Sequence, residues 1–405
     1  MAGWTFRSRA RQLCLLLSLG LAACGAPSPP GPAAPELRIR PASFDELEHW
    51  QQDDPSAALE AFRRSCAKLD AQPDARPVAA DPTMARVAGT AGDWREPCAA
   101  ADQPIASADQ ARRFFEDWFQ PYLVTDRDEA FGLFTGYYEP LLYGSRRYGD
   151  PYTVPLYGLP DDLIRIDLGR FKPELDGYAI AGRIDGDELV PYYARAEIDS
   201  GALEGRGLEL LWVDDPVAQF FLQIQGSGQI QLDDGARIRV GFAGQNGHAY
   251  RAIGRDLVEL GAMTIEEVSL QSIRDWLIAH PDQARGIMAR NRSYVFFRER
   301  PELAPADGPI GAQGVPLTAG RSLAVDKDYI PLGTPVWLDV TVPLPEGEAP
   351  LRRLMIAQDT GGAIEGPVRG DVFWGTGERA EAIAGRMRSQ GRYLVLLPKA
   401  AIPTS

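Results

Sequence analysis

Histidine and cysteine are scarce. The 405-residue chain carries three histidines (His49, His248 and His280) and four cysteines. None falls into a Cys-x-x-Cys or His-x-x-x-His spacing, which excludes a zinc site of the usual kind. No metal or other cofactor is expected. Positive charge is short as well: 42 Lys and Arg face 56 Asp and Glu, for a formal net charge of −14. General nucleic-acid binding needs clustered cations to neutralise phosphates, so this balance argues against it. The apolar run at 13–21 is too short to span a bilayer. Neither low complexity nor a repeat period is visible, which excludes a solenoid. What remains is ample for two to three domains with real cores, since 45% of residues are hydrophobic.

Arg7, Arg9 and Arg11 precede the apolar run, and small residues end it, as in an export signal over 1–23. The ending Leu21-Ala22-Ala23-Cys24-Gly25 resembles a bacterial lipobox, which implies cleavage before Cys24 and lipidation of its thiol. An ordinary signal peptide that contains a cysteine is the other reading. Loss of three arginines and no acids takes the formal charge from −14 to −17. The Pro/Ala linker that follows, to about residue 36, reads as a stiff tether. Gly25, by resemblance to known lipoproteins, implies the outer membrane, with the protein facing the periplasm. Cys66 and Cys98 are then left as an even pair in an oxidising compartment. A bridge closing about 32 residues contributes roughly 3–4 kcal/mol; two free buried thiols are the alternative.

The pattern along the chain is mixed. Asp54-Pro55 starts a helix with Leu59, Phe62, Cys66 and Leu69 on one face, and Ser107 with Gln110 forms a capping box for another. Residues 72–105 read as irregular. From 131 to 244 short runs (133–138, 177–184, 189–193, 208–213, 220–225 and 238–242) alternate with turns, as in a β-sandwich or barrel. Nine of the 14 tyrosines lie between Tyr137 and Tyr193. Helix is expected at 248–260 and 265–280. Strands follow at 293–297, 322–325, 335–340, 351–357, 372–374 and 393–397, with a helix around Ala380–Met387. This order fits an α+β, β-rich chain in which a β-domain (140–245) is inserted into a larger domain (37–139 and 246–400).

Three aspartates stand out near the C-terminus. Asp326 precedes Lys-Asp-Tyr-Ile-Pro-Leu-Gly-Thr, Asp359 opens Asp-Thr-Gly-Gly-Ala-Ile-Glu-Gly, and Asp371 lies in Arg-Gly-Asp-Val-Phe-Trp-Gly. A carboxyl directly after a buried strand is partly desolvated. Lifting it from about 3.9 to about 6 needs roughly 3 kcal/mol, which burial and one like charge supply, and suits a general acid near neutral pH. On spacing alone, aspartates bonding turn amides are the commoner case.

These segments resemble the three-aspartate ("3D") module. Phe134-Thr-Gly-Tyr-Tyr-Glu-Pro140 and Gln223-Ile-Gln-Gly-Ser-Gly228 resemble the membrane-bound lytic murein transglycosylase A family, as do Asn246–Gly254 and Ser293–Phe297. The resemblance runs from about residue 40 to 398. It implies a double-psi β-barrel with N-terminal helices, a smaller inserted β-barrel-like domain, and a groove for peptidoglycan glycan strands. The implied reaction cleaves the MurNAc–GlcNAc β-1,4 bond without water, as an exotransglycosylase, leaving 1,6-anhydro-MurNAc ends. Asp359 is the implied catalytic residue, acting as acid and then base, with Asp371 and Asp326 in support. Thr135, Gly136, Tyr137, Tyr138, Gln223, Gln225, Gly226, Ser227, Gly361, Gly362 and Ala363 are the implied sugar-binding residues. Partners beyond the glycan would be the outer membrane, through the lipid, and other cell-wall enzymes.

One position departs from the family pattern: Glu365 stands where a lysine is usual. Two rival readings stay open, a hydrolytic muramidase pairing Asp359 with Glu139 or Asp371, and a glycan-binding lipoprotein without catalysis. Gly375-x-Gly377-x-x-Ala380 imitates a dinucleotide fingerprint, but no acid follows at the needed distance. A single Asp-Thr-Gly does not make an aspartic protease, which needs two.

Overall fold

The computed structural model describes residues 34–175, 178–303 and 307–401. The export signal, Cys24 and most of the Pro/Ala linker lie outside the described residues. Pro35–Ser405 forms one compact unit.

Six strands build its centre: β1 (Gly132–Glu139), β2 (Ser322–Val325), β3 (Pro335–Leu344), β4 (Gly347–Asp359), β5 (Arg369–Thr376) and β6 (Arg388–Pro398). Their order is β6-β3-β4-β2-β5-β1, and β1 returns to pair with β6, closing a double-psi β-barrel. Two of the pairings, β2 with β4 and β5 with β1, are parallel, and the others are antiparallel. Strands buried on both sides read as continuous apolar runs, which is why Leu323–Val325 and Leu354–Ala357 carry no alternation. The long β6 divides one edge: Arg388–Gly391 pairs with β1, and Leu394–Pro398 pairs with strand Phe119–Asp126.

The barrel shares its core with the N-terminal helices. Phe62 of helix Ser56–Leu69 packs with Trp94, Phe114, Phe115 and Phe119 at ring separations of 5.5 to 6.3 Å. Cys66 and Cys98 are joined, their Cα atoms 5.4 Å apart. The stretch read as irregular contains two short helices, Pro82–Ala88 and Arg95–Ala101. The first is started by Asp81, which accepts from the Thr83 and Met84 amides with Pro82 in the first turn, a signal that the surrounding Pro and Asp obscured.

A second sheet orders its strands as Val295–Glu299, Arg237–Gln245, Ser227–Leu232, Leu141–Ser145, Glu209–Val213 and Val154–Tyr157. A bridge between Gly158 and Phe297 brings its two edges together, as in a small barrel. Val295–Glu299, assigned from sequence to the larger domain, pairs with Arg237–Gln245 and so belongs to this sheet. The run 220–225, read as a strand, lies in helix Pro216–Gln225. Asp215 accepts from the Val217 amide and Pro216 opens the helix, so a local cap outweighs the apolar run. The helices expected at 248–260 and 265–280 are shorter, Ile253–Glu259 and Leu270–Ala279, and a further helix Pro281–Ala289 follows.

Candidate active site

One row of residues runs across four barrel strands. Ala324 of β2 faces Asp359 of β4 on one side and Asp371 of β5 on the other, and Asp371 in turn faces Thr135 of β1. Residues directly opposed in register share a face, so Asp359, Asp371 and Thr135 lie on one side of the barrel wall. Two strand spacings put the Asp359 and Asp371 backbones about 10 Å apart.

Asp359 is half-buried and fully engaged. Its Oδ2 accepts from the Tyr137 hydroxyl at 2.8 Å. Its Oδ1 accepts from the Ala312 amide at 2.8 Å and from the Thr360 amide at 2.9 Å. Burial raises its pKa above the ordinary carboxylate range, against the three hydrogen bonds, which favour the charged form. Tyr137 is held well above the ordinary phenol range by burial and by the Asp359 charge, so its hydroxyl remains a donor. Glu365, at the departing position, is exposed and is not a cause of the Asp359 shift.

Asp371 is tied through a relay. Arg369 Nη2 donates to Thr135 Oγ1 at 2.8 Å, and the Thr135 hydroxyl donates to Asp371 Oδ1 at 2.9 Å. Burial pushes the Asp371 pKa up to about 6, Arg369 and Thr135 oppose the rise, and the Asp359 charge adds a little to it. Asp326 stands apart from this row. Its carboxylate accepts from the Asp328 and Gly366 amides and so ties the loop that links Asp359 to Asp371. Gly361, Gly362 and Ala363 form the exposed start of that loop.

Strand alternation separates the tyrosine pair. Tyr138 points away from Asp359 and packs with Ala380, Ala384 and Trp374. Gly136 lies on the same side, and a Cβ there would meet Trp374 Nε1 at 2.7 Å and the Ala384 Cα at 3.0 Å, so this glycine serves the packing of β5 and helix Glu378–Ala384 against β1. Gln223 also faces inward: its Oε1 accepts from buried Arg195 at 2.6 Å. These three are not brought to the carboxylates. Gln225 is placed differently, because its Oε1 accepts from the Tyr138 amide at 3.1 Å and fixes the helix end against β1. Gly226 ends that helix at φ +77°, a conformation open to glycine, and Ser227 then starts the next strand.

Glu139 is locked elsewhere. It is 1% exposed and accepts from Arg239 Nε at 2.6 Å, Arg239 Nη2 at 3.0 Å and Gln229 Nε2 at 2.9 Å. Two groups at the site escaped the sequence reading. Arg369 is two residues from Asp371, a spacing that in a strand places both on one face. The Ala312 amide comes from a Gly/Pro-rich loop whose only sequence signal is a turn.

Residues 133–298 match the family model described as the MltA specific insert domain, and residues 321–397 match the 3D domain. The crystal structure of membrane-bound lytic murein transglycosylase from Agrobacterium tumefaciens superposes with a TM-score of 0.78 at 36% identity, covering 90% of this chain and 98% of that one. The chain belongs to the MltA family. Membrane-bound lytic murein transglycosylase A of Vibrio cholerae is 33% identical over 266 residues, and the chain spans 64% of the length of that curated relative. E. coli MltA, crystallised with bound chitohexaose, superposes at a TM-score of 0.56 and 26% identity, with 89% of each chain covered. The 3D segment holds both carboxylates of the row, Asp359 and Asp371, and the insert segment holds Thr135 and Tyr137.

Proposed function

We propose that this protein is a lytic transglycosylase of peptidoglycan that cleaves the MurNAc–GlcNAc β-1,4 bond without water. The observation that carries this reading is Asp359, a half-buried carboxyl with a raised pKa that accepts from the neutral Tyr137 hydroxyl, whereas Asp371 is engaged by the Arg369–Thr135 relay. Protonated Asp359 gives its proton to the glycosidic oxygen as the bond to the MurNAc anomeric carbon breaks. The resulting carboxylate then takes the proton of the sugar's own 6-hydroxyl as that oxygen bonds to the anomeric carbon. The proton count closes on one residue, and the product is a 1,6-anhydro end. Tyr137 and two backbone amides stabilise the carboxylate between the two transfers. Asp371 lies in the same row, but the reaction proposed here does not need it to activate water, unlike the two-carboxylate scheme of hydrolases. Family membership and the relatives' names support the substrate class, and the chitohexaose complex of the E. coli relative supports a glycan site.

The test is release of soluble muropeptides from purified peptidoglycan. Asp359→Asn is expected to lose activity to below about a hundredth of wild type while still sedimenting with the glycan. Residual activity above that level removes Asp359 from the acid role. The lipid anchor at Cys24 places the enzyme at the outer membrane, facing the periplasm, where other cell-wall enzymes are within reach. No helix among the described residues is long and apolar enough to cross a membrane. Cys24→Ser is expected to give an active enzyme in the soluble fraction; recovery of the variant with membranes contradicts the anchor.

A further inference from the structure

A single extra residue decides which way Asp359 points. Along β4 and β2 the register pairs Ser322 with Ile356 and Leu323 with Ala357, then jumps to Ala324 with Asp359. Gln358 is the residue skipped. Under strict alternation Asp359 would share the side of Ala357, which is buried in the core with Leu323 and Val372. The bulge shifts it by one position into the row of Ala324 and Asp371, facing Tyr137.

Gln358 is held as though its placement matters. Its side chain is fully buried. Its Nε2 donates to the Ala61 carbonyl at 2.8 Å and to Ser65 Oγ at 2.9 Å, and its Oε1 accepts from Ser322 Oγ at 2.6 Å. Its own carbonyl accepts from the Gln313 amide at 3.1 Å, one residue from the Ala312 amide that holds Asp359. A buried amide with every group partnered fixes a backbone more firmly than an apolar side chain of equal size, because slipping would strand polar atoms without water.

We infer that Gln358 is a positioning residue for the reaction: it pins the bulge of β4 to helix Ser56–Leu69 and to β2, and so aims Asp359 at the substrate. This inference rests on the assignment of Asp359 as the acid and base. Gln358→Met keeps the length and bulk of the side chain and removes its hydrogen bonds. The variant is expected to bind chitohexaose as wild type does and to change KM by less than about threefold, while kcat falls about 10- to 100-fold. Gln358→Glu, whose neutral acid form can again donate to the Ala61 carbonyl, is expected to approach wild-type kcat as pH is lowered. Should Gln358→Met fail to fold, Ser65→Ala removes one partner and is expected to lower kcat about three- to tenfold at unchanged KM. Wild-type kcat in folded Gln358→Met, or in Ser65→Ala when Gln358→Met does not fold, overturns the inference. So does a loss that appears in KM alone. If Asp359→Asn is inactive and Gln358→Met is not, only this inference fails; if Asp359→Asn is active, the functional reading fails first.

Discussion

At Asp359 two influences oppose each other. Burial favours the protonated acid that would begin the proposed reaction, while Tyr137, Ala312 and Thr360 favour the carboxylate that would finish it. The balance leaves the pKa raised, so protonated enzyme persists to higher pH than an ordinary aspartate allows, and activity declines as pH rises through that value. Tyr137→Phe removes one stabiliser of the charged form. Its expected effect is an alkaline limb displaced to higher pH and a maximal rate about tenfold lower, read from a pH–rate profile of wild type and variant. A limb displaced to lower pH would show that the phenol does not donate to the carboxylate during turnover. Thr135, Tyr137, Asp359 and Asp371 were legible in the motifs, because each motif residue sits at a strand position that meets the others. Tyr138, Gly136 and Gln223 belong to the same motifs but face the packing of Trp374 and Arg195 instead. A motif names residues without saying which side of the strand they occupy, and the bulge at Gln358 shows how far one residue can change that.

The elements around the site divide its work. β1 supplies Thr135 and Tyr137 from one face and runs at its end into Glu139, which joins the barrel to the second sheet through Arg239 and Gln229. Breaking a buried ion pair on one side costs about 3–5 kcal/mol, because the remaining charge loses its partner. Glu139→Gln is therefore expected to lower stability by that amount in urea unfolding, yet turnover per folded molecule should stay within about threefold of wild type. Collapse of turnover in a fully folded variant would make Glu139 a second catalytic carboxylate. Most elements could be read from their periodicity and caps, including the barrel strands and helix Ala108–Trp118. Helix Pro216–Gln225 could not be, since its apolar residues are buried nearly all round and lack a helical stripe. Its only local sign was the Asp215-Pro216 start.

Across the whole molecule, the formal charge of −14 provides no long-range pull towards an anionic polymer, so binding of the proposed glycan would rest on contacts within the site. The carboxylate row is assembled from segments more than two hundred residues apart in the chain, at Thr135 and Asp371. That juxtaposition follows from closure of the barrel by β1, which strand periodicity alone does not reveal. The division into a barrel and an inserted sheet was visible as a change in composition, but its limits were set by pairing, as Val295–Glu299 shows. In the proposed reaction the sugar's own hydroxyl, and not water, attacks the anomeric carbon. Digestion of peptidoglycan in water enriched in heavy oxygen, followed by mass spectrometry of the muropeptides, tests it most directly. Anhydro ends free of heavy oxygen are expected; reducing ends that have taken up the label would show that water is the nucleophile.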